Sequence, residues 1–168
     1  IRFWQTSLSI EIEYKLNFWV EILSVIGNLI GSLFLLSLFY KDGNELGGWS
    51  WSEAVTVMGV YILLESYSSM FLQPNLSRII RHVQNGTLDF VLLKPISSQF
   101  WLSFRMFSPW GLPSFISGFI LIVYGFFKSS AELTLNILVV IFFSLISSLL
   151  ILYSIWFILA TTSIWFVK

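Results

Sequence analysis

The longest uncharged stretch of this sequence extends from Leu133 to Val167, and it points to a membrane fold. A transmembrane helix needs roughly 20 mainly apolar residues, whereas this stretch would make a straight helix of roughly 50 Å. Because that length exceeds one crossing of the bilayer, we expect one helix to about Ile158. A break is expected at residues 160–163, and a fifth segment begins after it.

Three further apolar runs have the length of a span, at residues 22–40, 54–73 and 106–127. The chain is 57% hydrophobic and 11% charged, whereas about a quarter of the residues in a soluble domain are charged. A soluble fold of this size could not bury so much apolar surface. The predicted fold is therefore all-α, a polytopic transmembrane helical bundle with spans at 22–40, 54–73, 106–127 and 134–158 plus the start of a fifth. We expect a partial transmembrane domain over residues 1–168, since the sequence begins without Met and ends within an apolar run.

Composition also excludes several classes of function. The formal net charge is zero, so the chain lacks the basic footprint of a nucleic-acid-binding protein. The sequence has no cysteine, hence no disulfide and no thiolate metal site. The single histidine, His82, has no second histidine or cysteine as a fellow ligand, and no catalytic triad is recognisable around it. We therefore expect no metal, no cofactor, no nucleic-acid partner and no enzymatic activity.

The distribution of lysine and arginine predicts the orientation of the spans. The segment between the second and third spans carries Arg78, Arg81 and Lys94, with Arg105 at its far edge. The links after the first and third spans carry one lysine each. Because positively charged loops stay on the cytoplasmic side, residues 74–100 are expected to form a cytoplasmic loop of a multi-pass protein in the inner or plasma membrane.

Two local patterns flank the first span. Apolar and polar residues alternate from 7 to 18, which favours a strand, but a lone strand beside a membrane leaves its backbone groups unbonded. A helical arrangement places the apolar residues on one face, and we therefore expect an interfacial helix over residues 4–19. On the other side of the span, Ser50 and Glu53 have the spacing of a capping box that opens the second span.

A short amphipathic helix is predicted in the cytoplasmic loop. Pro74 is expected to end the second span, because proline removes a helical hydrogen bond, and Asn75 is expected to cap the next helix. Apolar residues then recur at the spacing of one helical face, and polar residues occupy the other. The apolar face comprises Leu76, Ile79, Ile80 and Val83, and the polar face comprises Arg78, Arg81, His82 and Gln84. Gly86 can supply a left-handed residue after the helix end.

The residues after this helix carry the most specific motif of the chain. Gly86–Ile96 reads GTLDFVLLKPI and resembles the G-x-L-D-x-x-L-L-[K/R]-P pattern in one branch of the ABC-2-type transporter permeases. The resemblance extends over nearly the whole chain. Three further similarities to that branch lie at Tyr14-Lys15 before the first span, Gly48-Trp49-Ser50 before the second, and Asn75 before the amphipathic helix.

The resemblance implies a permease of about six transmembrane helices that forms a homo- or heterodimer with a second permease subunit. It also implies a cytosolic ATP-binding subunit that docks on a coupling helix at 76–85 and on the motif after it. The sequence has no G-x-x-x-x-G-K-[ST] phosphate loop, so the energy for export would come from that partner. The residues implied in coupling to the ATPase are Arg78, Arg81, His82, Gly86, Leu88, Asp89, Leu92, Leu93, Lys94 and Pro95.

Two sets of residues within the spans have competing interpretations. Glu65 lies near the middle of the second span, where a charge costs roughly 2.5–3.5 kcal/mol on insertion scales. It is expected to face the bundle interior, a substrate pathway or a partner, and the alternative function that follows from it is an ion-coupled secondary transporter. A membrane-embedded enzyme is disfavoured, because no cluster of His, Asp and Glu lies at membrane depth. Gly27, Gly31 and Gly118 belong to small-residue patterns that let helices approach closely, either within the bundle or between subunits.

Overall fold

The computed structural model describes residues 15–41, 45–129 and 134–166, and the regular structure in these ranges is helical. An isolated bridge between Leu46 and Trp49 closes the turn before the second span. The elements are α1 (Lys15–Phe39), α2 (Trp51–Tyr67), a π-helical turn (Ser68–Leu72), α3 (Gln73–Gln84), α4 (Leu88–Leu92), α5 (Ser98–Phe104), a 3-10 turn (Pro109–Gly111), α6 (Leu112–Lys128) and α7 (Leu135–Phe166).

Four helical stretches in these ranges are long and apolar enough to cross a bilayer. They confirm the prediction of an all-α, polytopic transmembrane bundle, because each contains a window whose hydropathy and low charge suit a hydrocarbon environment. The stretches are Trp19–Phe39, Trp51–Gln84, Pro109–Lys128 and Leu135–Phe166.

The chain divides into two compact units. The first, here called the loop unit, contains the described residues between 67 and 109 together with α7. The second, here called the span unit, contains the described residues between 12 and 66 and between 110 and 134. The amphipathic helix and the leucine-proline motif both lie in the loop unit.

The N-terminal side of the chain tests one of the two local predictions. Most of the predicted interfacial helix, residues 4–14, lies outside the described residues, and the helical backbone from Lys15 continues directly into the first span. The capping box is confirmed. The backbone N–H of Ser50 donates to Glu53 Oε2 at 2.7 Å, and the N–H of Glu53 donates to Ser50 Oγ at 3.4 Å.

The last helix, α7, continues without a break to Phe166, so the predicted interruption at residues 160–163 is wrong. Thr161 Oγ1 donates to the carbonyl of Phe157 at 3.0 Å, and Thr162 Oγ1 donates to that of Leu159 at 2.6 Å. Ser163 does the same toward Ala160. Because these hydroxyls bond back to the preceding turn, the polar residues are absorbed into the helix and no fifth segment begins within the described residues.

The second helical run continues through Pro74 to the end of α3, so the prediction that Pro74 ends the span is also wrong. Between α2 and α3 the backbone forms the π-helical turn, where the N–H of Gln73 bonds the carbonyl of Ser68, five residues earlier. Proline lacks the N–H that would bond the carbonyl four residues earlier, that of Met70. The Met70 carbonyl instead accepts from the backbone N–H of Ser108 at 3.0 Å.

In the span unit, α2 and α6 meet through glycines. A Cβ built on Gly118 would lie 2.9 Å from the carbonyl oxygen of Gly59 and 2.9 Å from the backbone nitrogen of Leu63. A Cβ on Gly59 would in turn meet the Gly118 carbonyl at 2.9 Å. By contrast, a Cβ on Gly27 or Gly31 of α1 has no described neighbour within 4 Å. Among the described residues, the close approach that small residues permit therefore occurs at Gly118 and not along the α1 glycine pair.

Candidate functional site

The amphipathic helix α3 is anchored on α7 by its apolar face. Leu76 and Ile79 are fully buried and form one cluster with Leu72 of the π-helical turn and Ala160 of α7. Val83 packs against the same cluster. Burying a leucine or isoleucine side chain stabilises by roughly 1.5–3 kcal/mol. Because α3 continues the helical run that begins with α2, this cluster holds that part of the run against α7.

Ile80 departs from the apolar face that the sequence predicts. Its side chain is 37% exposed and lines an open cavity of about 410 Å³ together with Trp156 and Leu159 of α7. The apolar stripe of α3 is therefore wider than its buried contact, and the Ile80 edge remains uncovered by the described part of this chain.

The end of α3 is a Schellman motif centred on Gly86, as the sequence predicts. Gly86 has φ +64°, a left-handed conformation that glycine adopts without a steric penalty. The N–H of Thr87 bonds the carbonyl of His82 at 2.9 Å, and the N–H of Gly86 bonds that of Val83 at 3.1 Å. His82 Nδ1 and Thr87 Oγ1 are also 2.9 Å apart. These bonds set the angle at which the chain leaves α3 and enters α4.

The spacing of the motif places one apolar side chain inward and three outward. Val91 of α4 is buried, whereas Phe90, Leu92 and Leu93 are 70%, 54% and 81% exposed. Asp89 lies in the first turn of α4 and is exposed. The result is an apolar patch on the surface of the loop unit, here called the leucine patch and defined by Phe90, Leu92 and Leu93.

Basic side chains surround this segment. Lys94 Nζ lies 3.9 Å from the centroid of the Trp101 ring, and the Arg105 guanidinium carbon lies 4.6 Å from the same centroid, both within the range of cation–π attraction. Arg81 is exposed and Arg78 is half-buried. Four cationic side chains are close enough to His82 to act on it electrostatically: Arg105, Arg78, Lys94 and Arg81.

Asn75 has a role that sequence reasoning missed. It does not cap α3, whose N-cap position is Leu72. Its side chain is 2% exposed, and Nδ2 donates to the carbonyls of Phe71 and Met106, each at 2.7 Å. Its Oδ1 accepts from the N–H of Met106 at 2.8 Å. The signal in the sequence is the spacing from Asn75 to Ile79, which places the amide on the buried face of the helix.

Tyr153 of α7 is a second polar contact that the sequence did not indicate. Its hydroxyl accepts from Gln99 Nε2 at 3.1 Å and lies 2.8 Å from Ser103 Oγ. The Tyr153 ring also stacks with Phe104 at a centroid distance of 6.1 Å. Together these contacts hold α5 against α7. The sequence around Tyr153 is an apolar run, and it contains no pattern that would indicate a polar partner about 50 residues away.

Glu65 is not brought together with the basic segment. It belongs to the span unit, and its side chain is exposed. Exposed Val57 and Tyr61 precede it at intervals of four residues on α2, so the three lie along one helical face. The described residues therefore do not enclose this carboxylate in the interior of the chain's own bundle.

A comparison with protein families decides which kind of membrane protein this bundle is. The family model described as ABC-2 family transporter protein matches residues 26–168. This chain belongs to the ABC-2 transporter family. The match covers most of the sequence, including all of α2 to α7. Neither a search of curated proteins nor a search of solved structures produced a match.

Membership of the ABC-2 family gives the four apolar helices their context. The chain is an integral membrane protein and a permease of an ABC transporter, a class of machine that works with an ATP-binding partner. As an ABC-2 permease it is a membrane transport component. Among the described residues there is no group of three or more His, Cys, Asp and Glu side chains arranged to hold a metal ion.

Proposed function

We propose that this ABC-2 permease is the membrane-spanning subunit of an ATP-driven exporter in the inner or plasma membrane. It docks a separate cytosolic ATP-binding subunit through residues 76–95. The observation that carries the proposal is the arrangement of this segment, whose apolar helix face is bound to α7 while the leucine patch projects outward. An exposed apolar patch with basic side chains beside it suits a protein partner.

The two parts of the segment have different roles in docking. Leu92 and Leu93 supply apolar area to be buried against the ATP-binding subunit, because both side chains are exposed. Arg81, which is exposed, makes the main electrostatic contact, and Arg78, which is half-buried, contributes a smaller one. Charges at the edge of an interface mainly guide association and orientation, so the leucines carry more of the affinity.

In the proposed mechanism, motion of the ATP-binding subunits displaces the docked segment and, through it, the spans. ATP binding closes the paired ATP-binding subunits, and the docked α3–α4 segment moves with them. Because α3 is fastened to α7 by Leu76 and Ile79, displacement of α3 is passed to a span. Packed interfaces switch between discrete arrangements rather than deforming continuously, so the spans alternate between inward- and outward-facing states.

A second permease subunit, forming a homo- or heterodimer, is part of this proposal. Among the described residues, nothing buries the apolar window of α1, and no described atom lies within 4 Å of a Cβ built on Gly27 or Gly31. A face with two glycines one helical turn apart allows another helix to approach closely. We assign this face to contacts between the two permease subunits.

Glu65 is proposed to line the substrate pathway, because its carboxylate is exposed on a span where lipid is a poor environment for a charge. Replacing Glu65 by Gln is expected to reduce transport of cationic cargo by roughly ten- to hundredfold, since a hydrogen bond to a charged group contributes about 1.5–3 kcal/mol. The measurement is ATP-driven uptake of a cationic and an anionic fluorescent dye by inverted vesicles.

The matched control for this experiment is Glu45→Gln. Glu45 is an exposed carboxylate in the link between α1 and α2, so its neutralisation changes net charge equally without touching a span. The assignment of Glu65 to the pathway would be wrong if the Glu65→Gln protein transported both dyes at the rate of the unaltered protein over a range of pH.

The proposed function is tested by replacing Arg78 and Arg81 together by Glu. In mild detergent, the unaltered protein is expected to co-purify with a stoichiometric ATPase that carries a phosphate-loop motif. The double variant is expected to insert normally but to lose ATP-dependent transport, because like charges now face the docking surface. Transport and ATPase retention are measured on the same vesicles.

Two outcomes contradict the proposal at different points. Undiminished transport by the Arg78→Glu, Arg81→Glu protein means that the assigned contact face is wrong. A protein that purifies alone and transports with a proton gradient but without ATP is an ion-coupled secondary carrier, with Glu65 as the coupling site.

A further inference from the structure

The start of α3 is fastened to the segment between α5 and α6 by a compact set of hydrogen bonds. Pro74 leaves the Met70 carbonyl without its helical donor, and the N–H of Ser108 fills that position at 3.0 Å. The Asn75 side chain then bonds both the N–H and the carbonyl of Met106, at 2.8 and 2.7 Å. Three cross-links therefore join residues 70–75 to residues 106–108.

The side chain of Asn75 is fully used by these contacts. Its oxygen accepts one hydrogen bond and its nitrogen donates two, the second to the Phe71 carbonyl at 2.7 Å. At 2% exposure, no solvent is available to replace a lost partner. Removing the amide would take away the partners that Asn75 supplies to the N–H and the carbonyl of Met106, and a polar group left unsatisfied costs about 1–3 kcal/mol.

This bonding is separate from the packing that holds α3 on α7. The cluster of Leu76, Ile79 and Ala160 joins α3 to α7, whereas the hydrogen bonds of the Asn75 side chain go to Phe71 and Met106. Loss of the amide is therefore expected to leave the packing of α3 on α7 intact and to free residues 106–108. These residues are followed along the chain by the 3-10 turn and α6. The two attachments can be tested independently.

The geometry points to Asn75 as the positioning residue that makes α3 and residues 106–108 move as one piece, so that displacement of the docking helix is delivered to the entrance of α6 as well as to α7. We call this set of bonds the Asn75 clamp. The inference rests on the proposed docking of an ATP-binding subunit at residues 76–95. It adds α6 to α7 as a helix that is displaced when α3 moves with that subunit.

The absence of cysteine from the sequence allows the clamp to be tested with spin labels placed on introduced cysteines. Ser154, exposed on α7 and outside the docking segment, and Ser108, whose side chain is partly exposed, are both within the loop unit. Because α3 packs on α7, the distance between them reports the position of residues 106–108 relative to α3. The purified complex in lipid nanodiscs is measured by pulsed electron resonance, first without nucleotide and then trapped with MgATP and vanadate. In the unaltered background we expect one narrow Ser154–Ser108 distance peak at the same position in both states.

The test variant is Asn75→Leu, which keeps the branch at Cγ and removes all three amide bonds. We expect its distance peak to broaden without nucleotide and to shift on trapping, while the ATP-binding subunit stays bound and hydrolyses ATP. The matched control is Ser103→Ala, which removes a fully buried hydroxyl bonded to Tyr153 and is expected to retain the single narrow peak. Because leucine is larger than asparagine, Asn75→Ala removes the same bonds without added volume and is used if Asn75→Leu does not reach the membrane.

The outcomes separate this inference from the proposed function. A single narrow and unmoved peak in the Asn75 variant overturns the clamp, and so does equal broadening in Ser103→Ala. The measurement without nucleotide needs no partner, so it decides the clamp even if no ATP-binding subunit is found in the complex. That last finding would overturn the proposed docking instead.

Discussion

A protein in which Leu92 and Leu93 are both replaced by Asp is expected to insert in the membrane and to lose its ATP-binding subunit during purification. The two side chains are 54% and 81% exposed in the isolated chain, and their burial against a partner would contribute about 1.5–3 kcal/mol each. Losing both contacts and adding two charges lowers the affinity at least roughly a hundredfold. The measurement is the stoichiometry of the co-purified ATPase, followed by titration of the purified subunits.

The same substitution at another exposed leucine provides the control. Leu46 is 50% exposed in the link between α1 and α2, and Leu46→Asp is expected to retain the ATP-binding subunit at normal stoichiometry. Unchanged retention by the double variant would remove the leucine patch from the docking surface. Loss of the partner from Leu46→Asp would show that the effect of charge is not local.

Gly118→Val is expected to lower the thermal midpoint of the purified protein by several degrees. The Cβ position lies 2.9 Å from two backbone atoms of α2, the Gly59 oxygen and the Leu63 nitrogen, so neither can move aside without displacing the helix. Overpacking of this kind costs about 1–3 kcal/mol, which corresponds to roughly 2–4 °C for each kcal/mol in a chain of this size. The midpoint is read from thermal unfolding in detergent.

Gly27→Val is the comparison for that experiment, since it adds the same side chain to another span without meeting a described neighbour. Because the proposed dimer places Gly27 at a contact between subunits, any fall in its thermal midpoint is expected to accompany a change in subunit stoichiometry, which Gly118→Val should leave unchanged. An equal fall in both variants at unchanged stoichiometry would mean that valine in a span, rather than the contact with α2, is responsible. A change in subunit stoichiometry confined to Gly27→Val would support the assignment of the α1 glycine face to the permease dimer.

Features that depend on short stretches of sequence could be predicted. The spans follow from the lengths of the apolar runs, and the capping box and the left-handed residue after α3 follow from local spacing. The structure places these features at Ser50, Glu53 and Gly86 as expected. Each is decided by residues within one or two helical turns, where a linear pattern contains the necessary information.

Features that depend on distant partners could not be predicted in this way. Pro74 signals a helix end by its missing N–H, but the Met70 carbonyl finds a donor in Ser108, far along the chain. The cap expected at Asn75 fails for the same reason, since its partner Met106 is 31 residues away. Gly59 gives no signal of its own, because an isolated glycine gains meaning only from the opposing Gly118.

The length of α7 has a consequence for the membrane around the transporter. The helix has 32 residues and is uncharged throughout, so it measures about 48 Å against roughly 30 Å of hydrocarbon. Even a tilt of about 40°, the upper end of the usual range, leaves apolar surface beyond the lipid tails. The contact of α3 with Ala160 covers part of the apolar surface of α7. In a thicker bilayer the lipid tails would reach further along α7 and compete for the surface on which α3 rests, so bilayer thickness and the docking helix act on the same few turns of one span.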